Sequence, residues 1–362
     1  MSNDLTIPKD LLARQLRLVF EAWEMNAEHI PVCIEGMLAA DLMGIDSHGI
    51  GMLPTYEDNR KHGRLIVNPA VVIERDVAAV AMIDAGHGMG HIAATRAMEL
   101  AIDKAKSFGI ALVSVRNSNH YGAAGVYSNM ARRKGLIGMS TTGTTQRAVV
   151  PTHGREPRYS TNPIAFAAPG THSDGFSLDM ATSTVAAGKL KVASRAEKAI
   201  PVGWAVDSTG SPETDPDAAL AATPKRLTPL GGTRELGSHK GYGLAMMVEI
   251  LSSILNGSYV GGYDLGTDQR GEFINVGHCF IAIDPKLVRG DDDAFGDELD
   301  RLASYLRATP AADSEQPVLV PGDPEWASTT HRLAHGIPMT RKLRDEVRGV
   351  AESCRTSFVL EG

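Results

Sequence analysis

An apolar strand, a polar loop and a helix follow one another between residues 110 and 134, and this order constrains the fold more than any other feature. Residues 110–115 (Ile-Ala-Leu-Val-Ser-Val) are mostly apolar and rich in β-formers, which predicts a buried strand. The spacing of apolar residues predicts a helix over 122–134, and residues 136–142 predict another strand. Such a unit indicates an α/β protein, in which ligands usually bind at loops that follow the carboxyl ends of strands.

The loop of this unit carries His120, the best catalytic candidate of the chain, within the segment Asn-Ser-Asn-His-Tyr-Gly at 117–122. The positive end of the helix dipole disfavours an imidazolium, so we expect the pKa of His120 to be lowered. A neutral imidazole at pH 7 can accept a proton, as the oxidation of an alcohol requires. The alternative is a loop histidine that merely caps the helix.

The composition excludes several classes of protein. With 362 residues, 43% hydrophobic and 22% charged, the chain predicts a globular protein of two or three lobes. A net charge of −7 argues against a general binder of nucleic acid or anionic membranes. We see no signal sequence and no membrane span. The three cysteines are far apart, which predicts free thiols, no zinc site and a cytoplasmic location.

The remaining apolar patterns complete an α/β architecture. Helices are predicted near 28–43 and 92–107, and strands at 71–74, 77–85, 164–168 and 279–283. We therefore predict a mixed central sheet flanked by helices, with helical segments at both termini.

Two further segments have the residue types of a site. Asp-Ser-His-Gly at 46–49 follows a predicted helix and can direct a serine hydroxyl and an imidazole into a cleft, although an Asx-type turn explains it equally well. Gly-His-Gly-Met-Gly-His at 86–91 fails the dinucleotide fingerprint, because its third glycine comes one position early, and we interpret it as a structural turn.

Two later segments suggest anion binding. Asp-Met-Ala-Thr-Ser at 179–183 is predicted to open a helix, where it either caps the helix or binds a nucleotide phosphate. Residues 237–243 place Lys240 among glycines at a helix start. The dipole makes a cation unfavourable there unless it meets an anion, so we predict ligand contact.

Taken together, segments 46–50, 117–122, 161–169, 179–183, 203–207 and 239–244 resemble the malate/L-lactate dehydrogenase family of NAD(P)-dependent oxidoreductases. Their order and spacing match the family over roughly residues 8–340. This family lacks the Rossmann fold and includes ureidoglycolate, sulfolactate and diketogulonate enzymes and cyclic-imine reductases.

The resemblance implies an α/β fold with a non-Rossmann NAD(P)-binding domain at 116–285. Residues 1–115 together with 286–362 would form the substrate and dimerisation domain. It also implies a homodimer with the active site between subunits. The reaction would transfer hydride between NAD or NADP and a small 2-hydroxy acid or 2-oxo acid.

The resemblance also assigns residues to roles. His120 and His48 would be catalytic, one of them as the proton-transfer residue. The substrate would contact Ser47, Tyr56, Asn119 and Met52. The cofactor would contact Thr144, Thr145, Asn162, Pro163, Asp179, Met180, Ala181, Thr182, Ser183, His239, Lys240 and Gly241. No metal is implied.

One position departs from the family. Met52 stands where the family usually has an arginine that binds the substrate carboxylate, and methionine cannot form that bidentate pair. Either another cation substitutes, with Arg60, Arg147 and Arg158 as candidates, or the substrate lacks a carboxylate there.

The sequence leaves three alternatives open. The first is a cyclic-imine carboxylate reductase. The second is a metal-dependent hydrolase that uses His48, His87, His91 and His120. The third is a nucleotide-binding regulator that has lost catalysis.

Overall fold

A computed structural model describes residues 5–143, 146–261, 273–290 and 294–361. Thr144 and Thr145, two of the predicted cofactor contacts, lie outside the described residues. In the part of the chain that is described, no helix is long and apolar enough to cross a bilayer.

A mixed sheet lies at the centre of the described chain. The strands are β1 (Leu5–Ile7), β2 (Val72–Val77), β3 (Val80–Asp84), β4 (Ile110–Ser118), β5 (Ile137–Thr142), β6 (Ile164–Ala168), β7 (Phe176–Met180), β8 (Ala205–Val206), β9 (Pro212–Glu213), β10 (Val276–Ile283) and β11 (Ile337–Met339). The central sheet has the order β2-β3-β4-β10-β5-β6-β7, and β1 with β11 and β8 with β9 form small pairs. In the central sheet β3 and β4 are parallel, and the other neighbours are antiparallel.

Helices cover this sheet and extend from it. They are α1 (Lys9–Ala22), α2 (His29–Leu42), α3 (Leu53–Lys61), α4 (Gly90–Phe108), α5 (Ala124–Arg132), α6 (Ala187–Arg195), α7 (Pro216–Ala221), α8 (Ser238–Ser252), α9 (Pro285–Arg289), α10 (Ala294–Arg307), α11 (Asp323–His335) and α12 (Arg341–Ser353). Short 3-10 turns lie at Ile50–Met52 and Ile254–Asn256. The predicted mixed sheet with flanking helices and helical termini is confirmed.

Three buried apolar clusters hold these layers together. The first joins α1, α2, α3 and α12 and includes Phe20, Met37 and Tyr56. The second lies between the sheet and helices α4 and α5. The third is a smaller cluster around Leu190 and Leu227 that joins α6, α7 and β8. Burial of apolar surface in these clusters is the main stabilising term of the fold.

The strand–loop–helix–strand unit of the sequence is present, with one addition. Strand β10 lies between β4 and β5 and is antiparallel to both, so β4 and β5 run in the same direction without pairing. The loop between β4 and α5 therefore leaves the carboxyl end of a central strand, as predicted. It carries His120, and Ala124 begins the helix.

The predicted helix opening at 179–183 is wrong. Asp179 and Met180 end β7, where they pair with Ala165 and Ile164, and the next helix begins only at Ala187. The hydroxyls and the carboxylate at 179–183 suggested capping, but antiparallel pairing with β6 determines the backbone here. Asp179 does bond to a helix start, although to that of α5 rather than to one of its own.

The hairpin of β2 and β3 also differs from its prediction. We predicted strands at 71–74 and 77–85, whereas β2 extends to Val77 and the turn falls at Ala78, which has a φ of 47°. The proposed division into domains at residue 115 stays a prediction. That position lies within β4.

Candidate active site

His120 lies in the loop between β4 and α5, and its imidazole is held from one side. Its Nδ1 atom is 2.9 Å from the Tyr56 hydroxyl and 3.3 Å from the backbone nitrogen of Gly122. Tyr56 is fully buried in α3, so it fixes the ring from the side of the apolar cluster that joins α1, α2, α3 and α12. His120 does not cap α5. The contact at that helix start comes from the carboxylate of Asp179, which accepts from Gly125 N–H at 2.7 Å.

The pKa of His120 is lowered well below its ordinary value, as the sequence predicted. The cause differs from the prediction, because burial is the largest contribution and the rings of His48, His91 and His278 add to it. Each of these effects disfavours the charged imidazolium. His120 is therefore neutral at pH 7 and can accept a proton.

His48 lies beside His120. The two ring centroids are 5.3 Å apart, with an angle of 32° between the planes. The Nδ1 atom of His48 is 2.8 Å from the hydroxyl of Ser47, and burial lowers the pKa of His48 as well. Two neutral imidazoles and a hydroxyl thus come together from the segments 46–49 and 117–122, which the sequence predicted separately.

The loop that carries His48 is fixed at its base. Arg332 of α11 forms an ion pair with Asp46 and donates to the backbone carbonyl of Asp41 at 2.5 Å. Ser328, one turn earlier in α11, donates to the carbonyl of Leu42 at 2.9 Å. Helix α11 therefore binds backbone carbonyl groups of the last turn of α2.

The other predicted substrate residues have different surroundings. The Tyr56 hydroxyl bonds to His120, which favours a positioning role over direct substrate contact. The Asn119 side-chain amide donates to the carbonyls of His87 and Gly88, at 2.9 and 3.1 Å, and so ties the two loops together. Met52 is half-buried and packs against the apolar cluster that joins α1, α2, α3 and α12.

Two of the substitute cations proposed for position 52 are already paired. Arg60 forms a bidentate pair with Glu57 and lies over the ring of Trp23. Arg158 pairs with the exposed carboxylate of Glu156.

His278 is a neighbour of the site that the sequence analysis missed. It is fully buried in β10, and its ring nitrogens lie 2.8 Å from the hydroxyls of Thr142 and Ser118. It stacks on Tyr121 with centroids 4.5 Å apart, and burial lowers its pKa to about 3. A polar residue within an apolar strand was the available signal, but its partners are far away in the sequence.

His91 lies behind Tyr56, and its ring meets the tyrosine ring edge-on at 5.7 Å. It is fully buried and burial lowers its pKa to about 4. Neither ring nitrogen has a hydrogen-bond partner among the described residues. The segment 86–91, which the sequence predicts to be a structural turn, places His91 against Tyr56.

The geometry does not favour a metal-dependent hydrolase. The Nδ1 atom of His87 lies 3.0 Å from the carbonyl of Ile274, and its ring stacks on Phe273. Across the described ranges, no three histidine, cysteine or acidic side chains are arranged to hold a metal ion. The histidines of that alternative therefore do not form a ligand set.

Three of the predicted cofactor segments meet in space. Thr182 N–H donates to the carbonyl of Thr161, and the Thr182 hydroxyl donates to that of Asn162. The Asn162 amide donates to Ala245 and Glu249 of α8, at 3.1 and 3.0 Å. The segments 161–163, 179–183 and 238–252 thus form one connected wall. The buried Asn162 side chain belongs to its framework.

The start of α8 offers groups that fit an anion. The hydroxyl of Ser238 lies 3.1 Å from that of Thr152, and Lys240 is exposed in the first turn. His239 is exposed beside it and accepts from Arg234 at 3.0 Å. Hydroxyls and cations at a helix N-terminus suit an anion such as a phosphate.

Gly241 sits where this helix crosses the preceding loop. A Cβ atom at position 241 would lie 2.4 Å from both the backbone nitrogen and the oxygen of Leu230. Leu230 N–H in turn donates to the carbonyl of Thr182. Only glycine permits this close approach, which connects α8 to the segment 179–183.

Comparison with known proteins agrees with this geometry. Residues 7–348 match the family model described as malate/L-lactate dehydrogenase. The chain is 39% identical over 337 residues, 93% of each chain, to the L-sulfolactate dehydrogenase of Methanothermobacter thermautotrophicus. It is 32% identical to the (2R)-3-sulfolactate dehydrogenase (NADP(+)) of Chromohalobacter salexigens, over 89% of this chain and 91% of the relative.

Solved structures with the same fold include two informative enzymes. The malate dehydrogenase of Entamoeba histolytica superposes with a TM-score of 0.92 at 30% identity, covering 98% of this chain and 99% of that one. The delta1-piperideine-2-carboxylate reductase of Pseudomonas syringae pvar. tomato gives 0.83 at 29% identity, covering 96% and 100%. The fold thus occurs both in a malate dehydrogenase and in an enzyme named for a cyclic imine.

Proposed function

The chain belongs to the malate/L-lactate dehydrogenase family, and we propose that it transfers hydride between a nicotinamide cofactor and carbon 2 of a small 2-hydroxy acid or 2-oxo acid. Membership of this family implies the nicotinamide cofactor. The observation that supports this reaction most directly is the neutral ring of His120, which bonds to Tyr56 and lies beside His48. An imidazole held in this way can exchange a proton with an alcohol or a ketone.

We infer that His120 is the proton-transfer residue. Because Tyr56 and Gly122 face Nδ1, Nε2 is the nitrogen left for the substrate. In the oxidising direction the neutral ring carries its proton on Nδ1, which donates to the Tyr56 oxygen in place of accepting the longer 3.3 Å contact from Gly122 N–H. The Nε2 lone pair then takes the hydroxyl proton. In the reducing direction the protonated ring returns this proton to the forming alkoxide. The bound nicotinamide supplies or accepts the hydride.

The remaining candidate residues bind and orient. His48, with Ser47 on its Nδ1, is placed to hold the substrate oxygen or carbon chain beside His120. Lys240, His239 and the first turn of α8 would hold the cofactor phosphates. The wall formed by 161–163 and 179–183 would lie along the dinucleotide, with Thr144 and Thr145 as further predicted contacts.

A spectrophotometric screen tests this proposal. The purified protein is mixed with NADH or with NADPH, and absorbance loss is followed with oxaloacetate, pyruvate, sulfopyruvate and a cyclic-imine carboxylate. We expect turnover with at least one 2-oxo acid, and the two cofactors to differ in kcat/KM. Oxidation of neither cofactor with any of the 2-oxo acids would overturn the assignment.

Replacing Tyr56 with phenylalanine distinguishes positioning from substrate binding. The ring that meets His91 remains, while the hydrogen bond to His120 is lost. A lost buried hydrogen bond costs about 1–3 kcal/mol, so kcat should fall roughly 5- to 150-fold with little change in KM. The control is Tyr305→Phe, on an exposed side chain of α10. A raised KM with unchanged kcat would instead place Tyr56 against the substrate.

Replacing Met52 with arginine tests whether position 52 faces the carboxylate of the substrate. If the cation reaches a carboxylate, the gain for pyruvate or oxaloacetate should be about 1.5–3 kcal/mol, a roughly 10- to 150-fold rise in kcat/KM. Met52→Leu, which conserves apolar volume, is the matched control and should change little. Flat specificity constants in the arginine variant would show that position 52 does not face a carboxylate.

One observation favours a second candidate function. The delta1-piperideine-2-carboxylate reductase from Pseudomonas syringae pvar. tomato shares this fold at 29% identity. A cyclic imine is reduced at a carbon–nitrogen double bond, and the same screen separates it from a 2-oxo acid.

We also propose a homodimer with its active site between subunits. Met246, Ile250, Ile254 and Leu255 are about half exposed at helical spacing along α8 and the turn that follows. Exposed apolar side chains in one stripe favour a covered interface. Light scattering on the purified protein should give twice the monomer mass.

A further inference from the structure

Asp41 is a buried acid that lies between the end of α2 and the loop that carries His48. Its side chain is 2% exposed. The Oδ2 atom accepts from the backbone N–H of Ile50 at 2.9 Å. Ile50 begins the 3-10 turn that leads into α3, and therefore toward Tyr56. One carboxyl group thus connects α2 to the backbone just beyond His48.

The contact with Gly49 is closer still. A Cβ atom on Gly49 would lie 1.8 Å from Asp41 Oδ1 and 2.1 Å from its Cγ. The φ of Gly49 is −90°, so the backbone does not require glycine for a left-handed conformation. Glycine is required because the backbone of the loop passes so close to the carboxyl group of Asp41 that no Cβ atom fits.

The charged groups near Asp41 are few. Asp46 of the same loop raises its pKa, and Arg332 of α11 lowers it. Helix α4 faces α2 with His91 at Gly36, and that ring is neutral because burial lowers its pKa. Helix α1 packs on α2 through apolar side chains of the cluster that joins α1, α2, α3 and α12.

The last neighbour is α5, and Arg133 follows directly after its end. Arg133 interacts by charge with Arg132 of α5 and with Glu35, an exposed residue of α2 more than one helical turn before Asp41.

We propose that Asp41 is a positioning residue: its carboxyl group holds Gly49 and Ile50 in place and so sets His48 beside His120. The inference rests on the proposed function only in assigning proton transfer to His120 and substrate binding to His48. The contacts themselves do not depend on that assignment.

The sign of the pH dependence follows from burial. Burial is the largest effect on Asp41 and raises its pKa to about 7, against an ordinary value of 3.8. The closed loop buries the group, so it favours the protonated form. Protonated Asp41 therefore stabilises the closed loop. This stabilisation is fully present below pH 3.8, the ordinary pKa, and is lost progressively as the pH rises through about 7. The loop should therefore loosen above neutral pH.

Asparagine provides a matched test, because its amide oxygen can accept from Ile50 N–H and it carries no charge at any pH. Three variants are compared with the wild type: Asp41→Asn, Asp41→Ala and the control Glu35→Gln, on the exposed acid of the same helix. The measurements are kcat for 2-oxo acid reduction, NAD(P)H affinity by fluorescence, and hydrogen exchange of peptides that cover residues 44–52. Each is made at about pH 6 and about pH 8.5, on either side of the Asp41 transition, with exchange corrected for its intrinsic pH dependence.

We expect Asp41→Ala to lower kcat about tenfold or more and to speed exchange of the 44–52 amides by a similar factor at both pH values, with cofactor affinity kept. Asp41→Asn should retain protection at both, while the wild type loses it at the higher pH. The Asn-to-wild-type ratio of kcat should therefore rise with pH. Glu35→Gln should follow the wild type throughout.

Two results would overturn the inference: wild-type exchange of 44–52 in Asp41→Ala, or an Asp41→Asn profile that follows the wild type across neutral pH. If Asp41→Ala does not fold, the comparison of the asparagine variant with the wild type still decides. If the wild type turns over no substrate, the proposed function fails, and hydrogen exchange still tests Asp41.

Discussion

His120→Ala should lower kcat by about 10²–10⁴-fold, the range over which a positioned acid or base contributes. The substitution removes Nε2, the nitrogen left free by Tyr56, and with it the group that exchanges a proton with the substrate. Cofactor affinity should change little, because the predicted phosphate contacts lie on α8 and the segments packed against it.

Steady-state kinetics and NAD(P)H fluorescence measure the two effects separately. His62→Ala is the control, since His62 lies exposed just after α3, with its Nδ1 atom 2.8 Å from the carbonyl of Asp58. His48→Ala should leave more activity than His120→Ala, because His48 is assigned to binding. Wild-type turnover in His120→Ala would contradict the assignment of the proton-transfer residue.

Gly241→Ala should disrupt the packing of α8 against segment 179–183, which is predicted to contact the cofactor. The added Cβ would lie 2.4 Å from two backbone atoms of Leu230, so α8 must move away from the loop that bonds to Thr182. Overpacking against backbone costs about 1–3 kcal/mol or more. We expect a corresponding loss of unfolding free energy and a weaker affinity for NAD(P)H.

Gly243 provides a matched control two residues further along α8. A Cβ atom at that position meets no atom within 4 Å. Alanine is a better helix former than glycine, so Gly243→Ala should stabilise the protein by about 0.5–1 kcal/mol. Urea unfolding and cofactor titration of both variants test the prediction, and equal behaviour of the two would refute the packing argument.

Local sequence predicted the position of His120 because the signal was local. A run of β-formers, a polar loop and a helical pattern specify a strand–loop–helix unit without reference to the rest of the chain. The lowered pKa of His120 was also predicted, but from the helix dipole. Its main cause is burial, which depends on Tyr56 and on rings from other segments.

The residues that sequence analysis missed or misplaced depend on distant contacts. His278 reaches the site because β10 inserts between β4 and β5, and its partner Ser118 is 160 positions away. Asp179 was predicted at a helix start by its neighbours, whereas pairing with β6 made it a strand end. Its carboxylate still reaches a helix N-terminus, that of α5 next to His120. Such pairings follow from the tertiary fold rather than from local propensity.

Isotope transfer tests the central claim most directly. The enzyme is incubated with NADH or NADPH deuterated on the transferable face of carbon 4, together with the best 2-oxo acid, and the product is analysed by mass spectrometry and NMR. The account predicts one deuterium on carbon 2 of a 2-hydroxy acid, with the hydroxyl proton from solvent, and loss of this product in His120→Ala. Cofactor oxidation without label on carbon 2, or labelled product formed at the wild-type rate in that variant, would contradict it.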